Sequence, residues 1–187
     1  QFPFSPAEID VVILTHAHID HSGNLPTLVR MGFEGQILCT PPTADLTELL
    51  LLDSVNIFLS KQRKKRRGKR ESFSGPKPLY FHKHVMETVD RFVTIGFNKP
   101  FKLNGEASVT FSPVGHLLGA AAAIFTVVED GKEKSIAFSG DIGRKNYPVL
   151  NDPEKLPAVD YLVCESTYGG RKHQASNTIE EMLVETV

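Results

Sequence analysis

A short apolar segment, Val11–Leu14, leads directly into a cluster of metal-binding side chains. An apolar run of this length predicts a buried strand, and the residues after it form the loop at the strand's end. Four imidazole or carboxylate groups fall within the six residues 16–21 of that loop, at His16, His18, Asp20 and His21. Imidazole and carboxylate are ligands that suit zinc. Since one structural zinc site seldom takes four ligands from one segment, the spacing predicts two adjacent metal ions.

Three later segments repeat the pattern of a strand that ends in a polar residue near glycine. They display His116, Asp141 and Glu165. Glycine lets the backbone adopt unusual angles and approach a metal or a ligand closely. Each segment alone is a weak signal, because Gly-Asp pairs usually make turns. Their order after the histidine loop makes the combination specific for a metal site.

Helix and strand patterns alternate along the rest of the chain. The predicted helices lie at 23–31, 43–59 and 84–91. The predicted strands lie at 36–39, 93–95, 107–112, 120–128, 134–139 and 161–165. Asp130-Gly131 is a strong hairpin signal between two of these strands. Because some strands are joined by hairpins and others by helices, we expect a mixed sheet in an α/β protein.

A basic segment interrupts this pattern. Eight of the 21 Lys and Arg residues fall within 61–70, and Ser, Gly and Pro follow up to residue 78. This composition predicts a mobile surface insertion over 61–78. Because the rest of the chain is acidic, the basic run suits a polyanionic partner. It contains no aromatic residue, which argues against base stacking.

The composition is that of a globular domain. The 187 residues are 41% hydrophobic and 23% charged, and no apolar run is long enough to cross a membrane. Residues 1–10 lack the features of a secretory leader. Cys39 and Cys164 both lie in apolar stretches, so we expect two reduced, buried thiols and a cytoplasmic protein. His82 and His84 are expected to be ordinary exposed histidines, one of them capping a helix.

The ordered motifs resemble the metallo-β-lactamase superfamily, whose hallmark is a His-x-His-x-Asp-His loop such as that at 16–21. Within it, the segments 138–143 and 165–170 are similar to those of the β-CASP group of nucleic-acid-processing nucleases. Bacterial and archaeal relatives of the nuclease subunit of the pre-mRNA 3′-end cleavage factor are the most similar kind. The resemblance extends from Phe4 to His173.

This resemblance implies a four-layer αββα fold of the α/β class, incomplete at both ends. Residues 1–165 would form a metallo-β-lactamase domain without its first strands, and 166–187 would begin a β-CASP domain. The chain starts at Gln1 and stops within a predicted helix that begins at Asn177. We therefore expect a fragment of a longer protein.

The resemblance also implies two zinc ions. The ligands of the first would be His16, His18 and His116. Asp20 and His21 would hold the second ion, and Asp141 would bridge the two. Glu165 would lie beside the metals as an active-site acid.

The implied activity is hydrolysis of RNA phosphodiester bonds by a hydroxide that two zinc ions activate. Asp20, Asp141 and Glu165 are the residues expected to act in catalysis, with Asp20 or Glu165 orienting the attacking oxygen. The expected partner is single-stranded RNA, with no membrane partner. A homodimer of the full-length protein is left open. The basic run would contact RNA through Lys64, Lys65, Arg66 and Arg67.

Two other functions stay open. One is a small-molecule hydrolase of the same fold that acts on thioesters or lactams, and the other is a non-catalytic scaffold subunit of an RNA-processing complex. The segment 165–169 and the long insertion over 43–91 argue against the first, and the intact ligand set argues against the second. Because further motifs would lie outside these residues, we expect the chain alone to bind metal weakly and to cleave RNA inefficiently.

Overall fold

The computed structural model describes residues 2–68, 78–147, 149–171 and 184, and of residues 62–68 it describes the backbone alone. A single turn of 3₁₀ helix, Pro6–Glu8, precedes the first strand. The helices are α1 (Ile19–Ser22), α2 (Leu25–Arg30), α3 (Pro41–Gly68) and α4 (His82–Val89). The strands are β1 (Val11–Ile13), β2 (Gln36–Cys39), β3 (Phe92–Thr94), β4 (Phe101–Lys102), β5 (Ala107–Pro113), β6 (Ala121–Glu129), β7 (Lys132–Phe138) and β8 (Tyr161–Val163).

The strands form two sheets. The first is parallel, with the order β1-β2-β3, and its register pairs Val12 with Ile37. The second has the order β4-β5-β6-β7-β8, antiparallel except for the parallel pair β7–β8. Asp130 and Gly131 both have positive φ, 52° and 71°, at the β6–β7 turn. The hairpin is therefore confirmed, with both central residues in the conformation that such two-residue turns need.

The two sheets pack face to face, and the helices cover the other face of the three-stranded sheet. Side chains of a strand alternate between its two faces. In β2, Leu38 packs with Val109 and Phe111 of the five-stranded sheet, whereas Ile37 packs with Leu28 of α2. Both faces of the central strand β2 are buried from Ile37 to Cys39, which explains why these three residues are all apolar.

The α/β class and the sandwich of two sheets agree with the fold expected from the sequence. The described residues provide three layers: helices, the three-stranded sheet and the five-stranded sheet. In this part of the chain no helix covers the outer edge of the five-stranded sheet, where Tyr161, Leu162 and Val163 of β8 are each more than half exposed. The expected mixed sheet is the five-stranded one, in which β7 and β8 are parallel and the other neighbours antiparallel, whereas the three-stranded sheet is wholly parallel.

The long helix differs from the prediction at both ends. It begins at Pro41 rather than residue 43, since proline is tolerated in the first turn, where N–H groups have no partner within the helix. It continues to Gly68 instead of ending near residue 59. Lys, Arg and Gln are good helix formers, so the first half of the basic segment extends α3. Residues 69–77, His173 and the helix predicted from Asn177 lie outside the described residues.

Two predictions for single side chains were wrong. Cys39 is fully buried as expected, but Cys164 is exposed, and both thiols are free. His84 is buried rather than exposed, and its Nδ1 accepts a hydrogen bond of 3.0 Å from the backbone N–H of Phe81 at the start of α4. The expected capping role of a histidine is therefore confirmed. Among the described helices, none combines the length and apolar character needed to cross a membrane.

Candidate metal centre

The histidine loop is held at the junction of the two sheets. The carbonyl oxygen of Thr15, two residues after the end of β1, accepts a hydrogen bond of 2.9 Å from the backbone N–H of Ala121, the first residue of β6. After the loop, the hydroxyl of Ser22 donates to the carbonyl oxygens of Ala17 and His18, at 2.9 and 3.0 Å. These bonds fix the direction in which the loop presents its side chains.

The loops that carry His116 and Asp141 lie directly against each other. The N–H of Gly143 donates to the carbonyl of Val114 at 2.8 Å. A Cβ on Gly143 would lie 1.8 Å from the carbonyl oxygen of Gly115, so no side chain fits there. Glycine is therefore required at position 143 for the two backbones to approach, and this approach brings His116 to Asp141.

Four of the expected ligands form one compact cluster. Their ligand atoms all lie within 4.8 Å of one another, and they belong to His16, His18, His116 and Asp141. The Nε2 atom of His116 lies 3.1 Å from Nδ1 of His18 and 3.5 Å from Oδ2 of Asp141. Residues separated by about a hundred positions in the sequence are thus close enough to share one ion.

The two oxygens of Asp141 face different histidines. Its Oδ2 lies 3.6 Å from Nε2 of His16, on the side of the compact cluster. Its Oδ1 lies 3.4 Å from Nε2 of His21, and that same nitrogen is 3.6 Å from Oδ2 of Asp20. Asp20 is the outermost of these side chains, with 76% of its side-chain surface exposed. The geometry is that of one carboxylate placed between two groups of ligands.

His16 has the properties of a metal ligand. It is 1% exposed, and its buried Nε2 has no hydrogen-bond partner among the described residues. Burial, with the charge of His21 as the next cause, lowers the pKa of His16 to about 4. The imidazole is therefore neutral near pH 7, the form that binds metals. The hydroxyl oxygen of Thr15 lies 3.2 Å from its Nδ1, a contact that orients the ring.

Burial also lowers the pKa of His116, although the negative charge of Asp141 opposes this shift. Buried polar atoms in proteins almost always have a binding partner. The buried Nε2 of His16 has no hydrogen-bond partner among the described residues, so it is available to bind a metal ion. Three imidazoles and carboxylate oxygens form a donor set typical of zinc. The four clustered residues therefore fit a metal ion such as zinc.

Glu165 lies beside this cluster but outside it. Its carboxylate accepts a hydrogen bond from the backbone N–H of Ile142, and its own N–H donates to the hydroxyl of Ser139. The bond from Ile142 is the main cause of a lowered pKa for Glu165, so the carboxylate is ionised near neutral pH. These two hydrogen bonds join Glu165 to the loop that carries Asp141, one at Ser139 before the aspartate and one at Ile142 after it. Glu165 therefore contacts the loop that carries Asp141, and it is not one of the residues in the compact ligand cluster.

The cluster opens into a cavity of about 570 Å³, whose walls include His116, Asp141, Glu165, Arg144 and Tyr147. A second cavity of about 410 Å³ reaches Asp20 from the side of α3. The side chains of the expected RNA contacts Lys64, Lys65, Arg66 and Arg67 lie outside the described part of the structure.

Sequence reasoning missed the supporting residues Thr15, Ser139 and Gly143. Each lies within two positions of a residue that was singled out as a ligand. Proximity to a ligand was therefore the available signal. Their contacts, however, are with distant segments or with a histidine ring. Gly143 bonds to Val114, Ser139 to Glu165, and Thr15 to Ala121 and the ring of His16. Sequence periodicity does not predict such contacts.

The amino-acid sequence of the chain is similar to those of known proteins. The chain is 34% identical over 183 residues to "Ribonuclease TTHA0252" of Thermus thermophilus, covering 97% of this chain and 37% of that protein. It is also 34% identical over 188 residues to "Transcription termination factor FttA" of Methanothermobacter thermautotrophicus, covering 98% of this chain and 27% of the relative. The chain therefore spans only about a quarter to two fifths of these curated relatives.

A solved structure supports the fold. The subclass B3 metallo-β-lactamase BJP-1 of Bradyrhizobium japonicum matches with a TM-score of 0.50 and 17% identity, over 89% of this chain and 60% of that one. A likeness at this low identity concerns the fold alone. The family model described as "Beta-lactamase superfamily domain" matches residues 2–183. With the cluster of histidines and aspartate in place, the chain belongs to the β-lactamase superfamily.

Proposed function

We propose that the full-length protein is a zinc-dependent ribonuclease of the β-CASP group that hydrolyses phosphodiester bonds of single-stranded RNA. The observation that carries this proposal is the compact cluster of ligand atoms from His16, His18, His116 and Asp141. The relatives' names support the choice of substrate, since one is called a ribonuclease and another a transcription termination factor. A cytoplasmic location is a further part of the proposal, whereas the oligomeric state of the full-length protein stays open.

In this proposal the ligands divide between two zinc ions. His16, His18 and His116 hold the first ion, and Asp20 and His21 hold the second. Asp141 bridges them, a role supported by its oxygens facing His16 on one side and His21 on the other, at 3.6 and 3.4 Å. When bound, two zinc ions supply an activated water near neutral pH and neutralise charge on the phosphate.

The protein's own residues provide alignment. Because the carboxylate of Asp141 lies at the centre, its position sets the spacing of the two ligand groups. Glu165 keeps that position through its bond to Ile142, and its ionised state makes it a hydrogen-bond acceptor rather than a proton donor. Asp20, which is largely exposed beside His21, is free to accept a hydrogen bond from a water molecule and to orient it.

The basic run contributes to RNA binding in this proposal. Lys64, Lys65, Arg66 and Arg67 follow one another on the last turns of α3, where the backbone is helical. A helix that carries clustered cations suits a nonspecific contact with phosphates. The contact adds affinity without base specificity, because the run has no aromatic residue.

The test replaces Asp141 by Asn in the full-length protein. Asn keeps the shape but removes the charge, so we expect loss of RNA cleavage and fewer zinc ions per chain by elemental analysis. The matched control is Asp130→Asn in the β6–β7 turn, since Asn tolerates the positive φ found there. Retained cleavage in Asp141→Asn would contradict the bridging role. A wild-type protein that hydrolyses a thioester or a lactam but no RNA would favour the small-molecule alternative, and one that hydrolyses neither would favour the scaffold.

A further inference from the structure

One wall of the cavity beside the metal cluster contains an arginine that the proposed chemistry does not use. The lining of the cavity of about 570 Å³ includes the site residues His116, Asp141 and Glu165 together with Arg144 and Tyr147. Arg144 is the only Lys or Arg among the described residues that line it. It is thus the cavity's single source of permanent positive charge in the part of the chain that the structure describes.

Arg144 is held in a way that leaves its donors available. Its guanidinium carbon lies over the ring of Tyr147, 5.5 Å from the ring centroid. Within the described residues no carboxylate forms an ion pair with it. A guanidinium stacked on an aromatic face is oriented by the ring while its N–H groups stay at the edge, free to donate.

We infer that Arg144 binds a backbone phosphate of the substrate, a neighbour of the phosphate at the metal cluster, and that Tyr147 positions the guanidinium for it. The inference rests on the proposed function, because it takes the substrate to be a nucleic acid. A planar guanidinium with several parallel donors matches a phosphate better than any other group in this cavity.

The distance from the cluster supports a neighbouring phosphate. Arg144 follows Asp141 by three residues, so their Cα atoms are at most about 11 Å apart. The guanidinium is therefore close enough to contact the same strand near the scissile bond. It is also a separate group from the ligands, so the strand would be fixed at two points. A small thioester or lactam has no chain of backbone phosphates, so its binding would not be strengthened by Arg144.

The experiment compares Arg144→Gln with Lys145→Gln in the full-length, zinc-loaded protein. The two variants remove the same charge from adjacent residues, and Lys145 does not line the cavity. For a single-stranded RNA, Arg144→Gln should raise KM about tenfold with little change in kcat, since a charge-assisted contact is lost. The slope of log KM against log salt concentration should fall by about 0.7. Lys145→Gln should change both values much less.

Two further measurements identify the partner group. A methylphosphonate in place of the phosphate next to the scissile bond removes that phosphate's charge. It should raise KM for the wild-type protein but have no further effect on Arg144→Gln, because the two changes remove the same contact. Tyr147→Phe keeps the aromatic ring and should leave KM unchanged, whereas Tyr147→Leu removes the ring and should raise KM. A general loss of stability would not produce this dependence of KM on the ring.

The outcomes separate this inference from the proposed function. If the wild-type protein cleaves RNA while Arg144→Gln and Lys145→Gln have the same KM and salt slope, the inference is overturned and the function stands. If the methylphosphonate affects Arg144→Gln as strongly as wild type, Arg144 does not contact that phosphate. A wild-type protein that neither binds nor cleaves RNA would overturn both.

Discussion

Replacing Gly143 by Ala should disable the metal site without touching a ligand. The added Cβ would lie 1.8 Å from the carbonyl oxygen of Gly115 and 2.6 Å from the backbone nitrogen of His116. Real Cβ contacts essentially never fall below 3.0 Å. The two loops must therefore separate by about 1.2 Å, because repulsion rises steeply below contact distance.

Moving the two loops apart would weaken the contact between His116 and Asp141. The loops carry His116 and Asp141, whose Nε2 and Oδ2 atoms lie 3.5 Å apart. The same movement would lengthen the 2.8 Å hydrogen bond from the N–H of Gly143 to the carbonyl of Val114, which joins the loops. A misplacement of about 1 Å in a catalytic site can cost on the order of a hundredfold in rate. We expect a loss of that size in kcat/KM on RNA, together with weaker zinc binding.

The assay measures RNA cleavage and the zinc retained against a chelator, in the full-length protein. The control is Gly105→Ala, because a Cβ at Gly105 meets no atom within 4 Å and its φ is not positive. Circular dichroism should show that both variants keep the fold. If Gly143→Ala binds zinc and cleaves RNA as well as Gly105→Ala does, the two loops do not need this close approach, and the reasoning is wrong.

Two further predictions concern other side chains. Glu165→Gln keeps an acceptor for the N–H of Ile142, so it should retain most of kcat/KM on RNA, whereas Glu165→Ala should lose much more. Equal losses in both variants would show that the charge of Glu165, rather than its hydrogen bond, is what matters. Burial raises the pKa of the Cys39 thiol to about 12 and shields it, while Cys164 is exposed. A thiol reagent at pH 8 should therefore label Cys164 in the folded protein and Cys39 only after denaturation, and Cys164→Ser should abolish the native signal.

Local patterns predicted most of the elements. The strands β2, β5, β6 and β7 were expected within two residues of their bounds, because apolar runs and the Asp130-Gly131 turn are signals within one short segment. The two-residue strand β4 was missed, since its pairing with β5 depends on a neighbour rather than on its own sequence. The division into two sheets was expected only from the family resemblance, because strand partners are chosen by tertiary packing and local patterns do not give them.

By itself, the sequence determined the chemical identity of the site. The histidine loop at 16–21, and the later His116, Asp141 and Glu165, were recognisable because each follows a strand and lies near glycine or other ligands. Residue types and short spacings are local properties. They limit the metals that can bind, whatever the rest of the fold does.

Only the tertiary structure decided how these groups act together. It placed Asp141 between His16 and His21, and it directed Glu165 to the backbone of Ile142 instead of to the metal ligands. It also made the imidazole of His16 neutral, since a pKa depends on burial and on charges brought from distant segments. These properties come from contacts between residues far apart in the chain, and a linear pattern does not contain them.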